Sequence, residues 1–275
     1  MRTGCFARYQ VFLLAIAAGA VLSSRSSAQN SYQVVQVTDG GTITGSVKWS
    51  GARPHPLTAP ITKDPQICDP DSAKSRDLER MIISANGGVA NTVVYLKNVS
   101  SGKAFDFPAA RQTLDQKHCR YEPHVLLVPQ NAELPMKSSD STLHLVHMDG
   151  AASYNLPFPF PNQTLSRPMN NAGVINLRCN GGHTWMNGVA FVAPHPYYAV
   201  TDANGEFKLT DVPPGQYEIV AWHEGWNVER HEDAFDVLTE KHVSREVFSD
   251  PKSWTKSVSV LPSGNASVNF VISDK

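Results

Sequence analysis

Cys179, His183 and Met186 fall within one short stretch, RCNGGHTWMNG, from Arg178 to Gly188. A thiolate, an imidazole and a thioether at that spacing are ligands of a soft metal site. A second imidazole, His144, stands upstream in SSDSTLHLVH. Two His, one Cys and a weak axial Met can hold one copper ion between the geometries that its two oxidation states prefer. Three of these ligands can share a loop only if that loop joins two adjacent strands, and the fourth must come from a neighbouring strand. The bland alternative is an ordinary loop with a buried thiol at Cys179 and a surface imidazole at His183.

The elements around the loop meet that demand. Val174 to Leu177 reads as the strand entering it and Val189 to Val192 as the strand leaving it. From Gln112 to Val192 the chain offers CRYEPHVLLVP, AELPMKSSD, TLHLVHM, a proline-rich crossing YNLPFPFPNQTLSRPMNNAG, then VINLRC and NGVAFVA. Short strands at near-even spacing with turn signals between them predict a sandwich or barrel. Earlier, GTITGSVKWSG (Gly41 to Gly51) alternates as a strand entering a turn, and GVANTVVYLKNV (Gly88 to Val99) is rich in β-branched residues. Between them Arg53 to Arg80 has prolines, Asp64, Asp69, Asp71 and Cys68 but no periodicity, and reads as a long excursion. The last third carries an Asp202 to Gly205 turn, strand Glu206 to Leu209, the tight turn Pro213-Pro214-Gly215, strand Tyr217 to Trp222, and a closing hairpin with Pro262 to Asn265 at its tip. The fold class expected is all-β, as two packed β-sandwiches.

On these residues the segment from Gln116 to Val192 resembles a cupredoxin, the Greek-key fold of plastocyanin and azurin. Asp140 four residues before His144 is similar to the way that family presents its first His, and C-x-x-x-H-x-x-M is similar to its ligand loop. The resemblance implies His144, Cys179, His183 and Met186 as ligands of a single copper. A dinuclear centre would need a further Cys four residues before Cys179, where Ile175 stands. One departure is Leu145, where cupredoxins usually place an Asn that ties the ligand segments together. The C-terminal part, with AVTDANGEFKLTDVPPGQYEIVAWHE and KSVSVLPSGNASVNF, resembles the carboxypeptidase regulatory-like domain, a smaller transthyretin-like (prealbumin-like) sandwich within the carbohydrate-binding-like folds. GTITGSVKWSGARP and GGVANTVVYLKN look like the first two strands of such a domain, which would make the copper segment an insertion. The expected organisation is a signal peptide over 1–28, a leader over 29–40, N-terminal strands over 41–100 of open ownership, a cupredoxin-like domain over 101–195 and the second sandwich over 196–275.

Arg2 and Arg8, the apolar run Val11 to Leu22 and Ser26-Ser27-Ala28 have the order of a cleaved secretory signal, too short to span a bilayer. The expected location is periplasmic or extracellular, with no membrane span. A net charge of −1 without basic runs gives no sign of a nucleic-acid binder, and none is expected. Cys5 falls within the signal, leaving Cys68, Cys119 and Cys179, an odd number for an oxidising compartment. The simplest arrangement is a disulfide between Cys68 and Cys119, which leaves Cys179 for other chemistry; the alternative pairs Cys179 with one of the others.

His147, three residues after His144, belongs on the opposite face of a straight strand, and His124 reads as a packed strand residue. His223 and His231 have no metal spacing. No G-x-S-x-G, P-loop, dinucleotide fingerprint or H-E-x-x-H occurs, and the chain is not expected to be an enzyme. The expected role is electron transfer with a periplasmic redox partner, with Trp185 and Pro157 to Phe160 as an apolar docking patch or as core. Two other readings stand beside it. One is a polysaccharide-binding or adhesion module with a vestigial loop, which requires exposed Trp222, Trp226 and Trp254. The other is a copper carrier without turnover.

Overall fold

The computed structural model describes residues 32–236 and 239–274. The expected signal segment and Cys5 lie outside these. Among the described residues no helix is long and apolar enough to cross a membrane.

The chain is all-β, built as two sandwiches. In the first, a four-stranded sheet runs in the order Thr164–Pro168, Glu133–Ser138, Leu114–Lys117, Arg120–Glu122. It faces a five-stranded sheet in the order Tyr154–Phe158, His144–Gly150, Gly173–Cys179, Asn187–Ala193, Val125–Pro129. Leu114, Leu126, Leu134, Met136, Val146, Phe158, Ile175 and Ala190 fill the space between them.

The second sandwich answers the question of ownership left by the sequence. Gly41–Trp49 lies at the centre of one of its sheets, beside Glu206–Val212 and Asn265–Ser267, with Phe270–Ile272 pairing farther along the same strand. Val93–Leu96 sits in the other sheet, between Tyr198–Val200 and Gly215–His223, with Lys252–Val260 beyond. Both early strands therefore belong with the C-terminal strands. The first sandwich is threaded between them and the rest of the sheet they complete.

A third cluster of buried side chains joins the two sandwiches, and strand periodicity explains it. In Val125–Pro129, Leu126 and Val128 face the first core, whereas Val125 and Leu127 face Val93, Phe191 and Trp222. Asn187–Ala193 divides the same way, with Ala190 and Val192 inward and Val189, Phe191 and Ala193 toward the junction. Successive side chains of a strand point to opposite faces, so a sheet covered on both sides is written as an unbroken apolar run. VLLV and VAFVA are such runs.

Two further pieces decorate this frame. The excursion folds over the first sandwich with Thr58–Pro60 paired to Ser75–Asp77 and a one-turn helix, Pro65–Cys68, between them. A long hairpin, Val228–Asp236 with Lys241–Phe248, forms its own two-stranded sheet. The leader is not wholly loose: Gln33–Val34 pairs in parallel with Ser101–Gly102.

Candidate metal centre

His144 opens the strand His144–Gly150, with His144, Val146 and Met148 turned inward and Leu145, His147 and Asp149 turned outward. Its neighbour Gly173–Cys179 pairs with it so that Val146 lies opposite Cys179. That register brings His144 and Cys179 together at the end of the sheet. The loop then turns back sharply. The Gly181 N–H points to Cys179 Sγ at 3.3 Å, the Met186 N–H donates to the His183 carbonyl at 3.0 Å, and the Cys179 N–H to the Met186 carbonyl at 3.4 Å.

The result is a convergent donor set. Cys179 Sγ lies 3.9 Å from His144 Nδ1 and 3.8 Å from His183 Nδ1, and these ligand atoms all fall within 4.8 Å of one another. All three residues are buried. Met186 is buried in the same core, its backbone closing the ligand loop. His147 lies on the other face of its strand, against Arg178 Nη2 at 3.2 Å. His124 is buried against Glu224, away from the donor set.

Each imidazole is held from behind by a carboxylate. His144 Nε2 donates to Asp140 Oδ2 at 2.9 Å, and His183 Nε2 to Asp64 Oδ2 at 3.0 Å. Fixing the outer nitrogen of a ligating His sets its tautomer and orientation and raises its basicity as a ligand. Asp140 is itself held. Its carboxylate accepts the N–H groups of His118 at 2.7 Å and Cys119 at 2.8 Å. Those two residues form the turn between Leu114–Lys117 and Arg120–Glu122, with φ of 50° and 54°. Two successive left-handed residues without glycine are strained, and the Asp140 carboxylate offsets that strain by taking both N–H groups.

The carbonyl of Leu145 accepts the Asn180 N–H at 2.9 Å. The tie between ligand segments that a side-chain Asn would make is thus made here by backbone.

The electrostatics favour an ionised pair in the absence of metal. Burial pushes the Cys179 thiol up, but hydrogen bonds and charge from His144 and His183 outweigh it and bring the thiol down to about 5. Burial pushes His144 down, and Asp140 and Cys179 outweigh that to raise it to about 9. A thiolate beside imidazole Nδ1 atoms, with the outer nitrogens already committed to carboxylates, fits a copper ion by donor chemistry.

Three supporting residues were not linked to the site by sequence reasoning. Asp64 comes from the excursion, where it also accepts the Thr142 hydroxyl at 2.6 Å. Lys63 donates to the Gly181 carbonyl at 2.8 Å and pairs with Asp236 of the long hairpin at 2.7 Å. Arg245, from the same hairpin, donates to the Cys179 carbonyl at 2.8 Å and to Asn180 Oδ1 at 3.1 Å. One signal for Asp64 was present. The structure joins Cys68 to Cys119, and Asp64 stands four residues before the cysteine that this bond anchors beside the site. The disulfide sulfurs lie within 4.8 Å of a His183 ring nitrogen.

Two alternatives left open by the sequence are decided here. Trp185 offers no docking patch: it is 2% exposed, donates its indole N–H to the Cys119 carbonyl at 3.1 Å and packs edge-on to His183. Phe158 is buried as well, leaving Phe160 as the exposed ring of that stretch. On the second sandwich Trp222 and Trp226 are buried and Trp254 is half-buried, with Trp222 in the junction cluster and Trp254 packed against the core of that sandwich.

Residues 196–248 match a family model described as the second beta sandwich domain of BOS complex subunit NOMO1-like proteins. Among solved structures the chain is similar to a purple cupredoxin from Nitrosopumilus maritimus, at 17% identity and a TM-score of 0.26, covering 30% of this chain and 98% of that one. It is similar to a reduced amicyanin variant at 20% identity and a TM-score of 0.27, over 36% of this chain and 98% of that one. A copper-containing nitrite reductase from Thermus scotoductus SA-01 matches at 16% identity and a TM-score of 0.27, over 33% of this chain and 24% of that one. No curated protein matches the chain significantly. The molecule is two β-sandwiches, of which the first carries the His144, Cys179 and His183 cluster.

Proposed function

We propose that this protein binds one copper ion through His144, Cys179, His183 and Met186 and serves as an electron carrier for a periplasmic or extracellular redox partner, without being an enzyme. The observation that supports this most is the convergence of Cys179 Sγ with two imidazole Nδ1 atoms whose outer nitrogens are held by carboxylates. Copper bound there would supply one-electron chemistry. The protein's own part is to keep the thiolate ionised, fix both rings and exclude water. Met186 would be the weak axial ligand that tunes the potential. The carboxypeptidase regulatory-like likeness of the second sandwich gives that half an accessory role, and its hairpin contacts the ligand loop directly.

Loading the metal-free protein with Cu(II) tests this. An intense thiolate-to-copper band in the visible range, absent from Cys179→Ser, is the expected result. A colourless protein that takes up no stoichiometric copper would sink the proposal.

A second reading, a copper carrier without turnover, has one observation in its favour. His144 and His183 are both fully buried, so neither ring edge is offered to a partner. Rapid electron self-exchange in the loaded protein favours the first reading, and slow self-exchange with ready transfer of Cu(I) to a chelator favours the second. The polysaccharide-binding reading loses the exposed Trp222 and Trp226 that it required.

A further inference from the structure

We infer that the cleft between the five-stranded sheet and the long hairpin is a binding site for a small carboxylate with an apolar body, received by Arg245. The cleft has a volume of about 310 Å³ and is bounded by Met186 and Thr184 of the ligand loop, by Arg178 and by the hairpin. That size suits a small molecule, and sites of this kind combine apolar walls with a few placed polar groups. Here Trp222, Phe248 and Leu177 supply the apolar walls.

Arg245 is the polar anchor. It is 8% exposed, and among the described residues no salt bridge involves it. Its Nη1 and Nη2 each donate one bond into the ligand loop, whereas its Nε is buried without a partner. A guanidinium has five N–H donors. Three therefore remain, among them the Nε–H needed for a side-on fork onto a planar carboxylate. Arg178 meets Glu232 only at 3.8 Å, and its own Nε is likewise buried without a partner.

The other charges of the cleft narrow the class. Arg80 and Glu224 are committed to each other. Asp149, Glu246 and Asp250 stand toward the outside along with exposed Arg230. Acidic groups at the mouth disfavour a phosphate dianion and admit a monoanion whose charge is carried inward. Benzoate, with a planar carboxylate and one ring, represents the class.

The site does not depend on copper, so its test uses the metal-free protein and fails separately from the metal-binding proposal. Benzoate titrated by calorimetry should show a single saturable site and raise the thermal midpoint with concentration. Benzyl alcohol, of the same shape without charge, should not bind. Arg245→Gln should weaken benzoate at least tenfold. Arg245 also supports the ligand loop, so two variants that leave it in place keep the test decisive if that one misfolds. Arg178→Gln should weaken benzoate several-fold, and Phe248→Ala should weaken benzoate more than acetate. Absence of saturable benzoate binding overturns the inference. So does equal binding of benzyl alcohol, or benzoate affinity unchanged in both Arg178→Gln and Phe248→Ala.

Discussion

Replacing Asp64 with Asn separates the role of the excursion from the ligands themselves. The amide keeps the size of the carboxylate and an oxygen that can accept the His183 Nε2–H, now 3.0 Å from Asp64 Oδ2. What it removes is the negative charge behind the ring, which raises the basicity of the ligating imidazole. Loss of such a partner costs about 10- to 100-fold in metal affinity. The Asp64 side chain is 27% exposed and shares its oxygen with Thr142, so solvent already screens part of its charge. An effect near the lower end follows, about tenfold or ~1.4 kcal/mol. Asp140 is the comparison. Its side chain is 3% exposed, and it accepts two backbone N–H groups as well as His144. Asp140→Asn should therefore approach the upper end, about 100-fold.

The assay is competition for Cu(I) against a chelator under nitrogen, with the thiolate-to-copper band recorded on the Cu(II) form. Thermal unfolding of the metal-free variants separates a loss of affinity from a loss of fold. Asp64→Asn should keep the band, since all proposed ligands remain, and lose affinity modestly. Wild-type affinity in Asp64→Asn would refute the claim that the excursion acts on the metal through His183. An Asp64→Asn defect larger than that of Asp140→Asn would refute the ranking by burial.

Three other outcomes follow from the structure. Removing the disulfide with Cys68→Ala and Cys119→Ala opens a loop of 51 residues, which in the chain-entropy account costs about 4 kcal/mol, read as a lower urea midpoint. Gly182→Ala should destabilise by about 1–3 kcal/mol in the same assay, since φ is +90° there and an added Cβ would lie 2.4 Å from Asp236 Oδ2 and 2.7 Å from Lys63 Nζ. On acidification, stability should fall in two stages. Burial holds His195 down at about 4, with Nδ1 accepting the Tyr197 N–H, so the unfolded chain binds the extra proton between about 6.5 and 4 and on the order of 3 kcal/mol is lost across that window. Burial pushes Glu224 up, but Arg80 and His124 outweigh it and bring it to about 2, so its contribution is complete above about 4.5 and disappears toward 2. His195→Gln should shrink the upper stage of a pH series of urea midpoints, to which buried His223 also contributes, and leave the lower.

The convergence of Cys179, His183 and His144 was legible because its information is local. C-x-x-x-H-x-x-M lies between two strands of clear alternation, and strand pairing alone carries His144 to Cys179. The double-sided burial of VLLV and VAFVA is also written in the chain, as apolar runs without alternation. The ownership of Gly41–Trp49 and Val93–Leu96 was not legible, because an amphipathic strand looks the same whichever sheet receives it. Nor was the hairpin from Val228, whose VERHEDAFD alternates weakly and is mostly exposed. Its position is set by Arg245 and Asp236, whose partners lie far away in sequence. The excursion lacks periodicity for the same reason. A disulfide, a lysine and a carboxylate order it, and none of these has a period.

These distant contacts bear on whether the first sandwich is a self-sufficient module. The ligand loop is gripped from two sides. Lys63 and Asp64 hold the Gly181 carbonyl and His183, Arg245 holds the Cys179 carbonyl, and the Lys63–Asp236 pair ties one grip to the other. A fragment of residues 101–195 would keep the four proposed ligands and Asp140. It would lose Asp64, Arg245 and the partner of Cys119, and it would expose Val125, Leu127, Val189 and Phe191, which now face the second sandwich. Burial of an apolar side chain of that size stabilises by about 1.5–3 kcal/mol, so four of them, about 6–12 kcal/mol, are comparable to the whole stability of a small domain, about 5–15 kcal/mol. The fragment should be aggregation-prone and fail to form the thiolate-to-copper band at stoichiometric copper, although its ligand sequence is intact. A soluble fragment with the band and the affinity of the whole protein would show instead that the loop is shaped by its own sandwich, and that the excursion and hairpin only cover it.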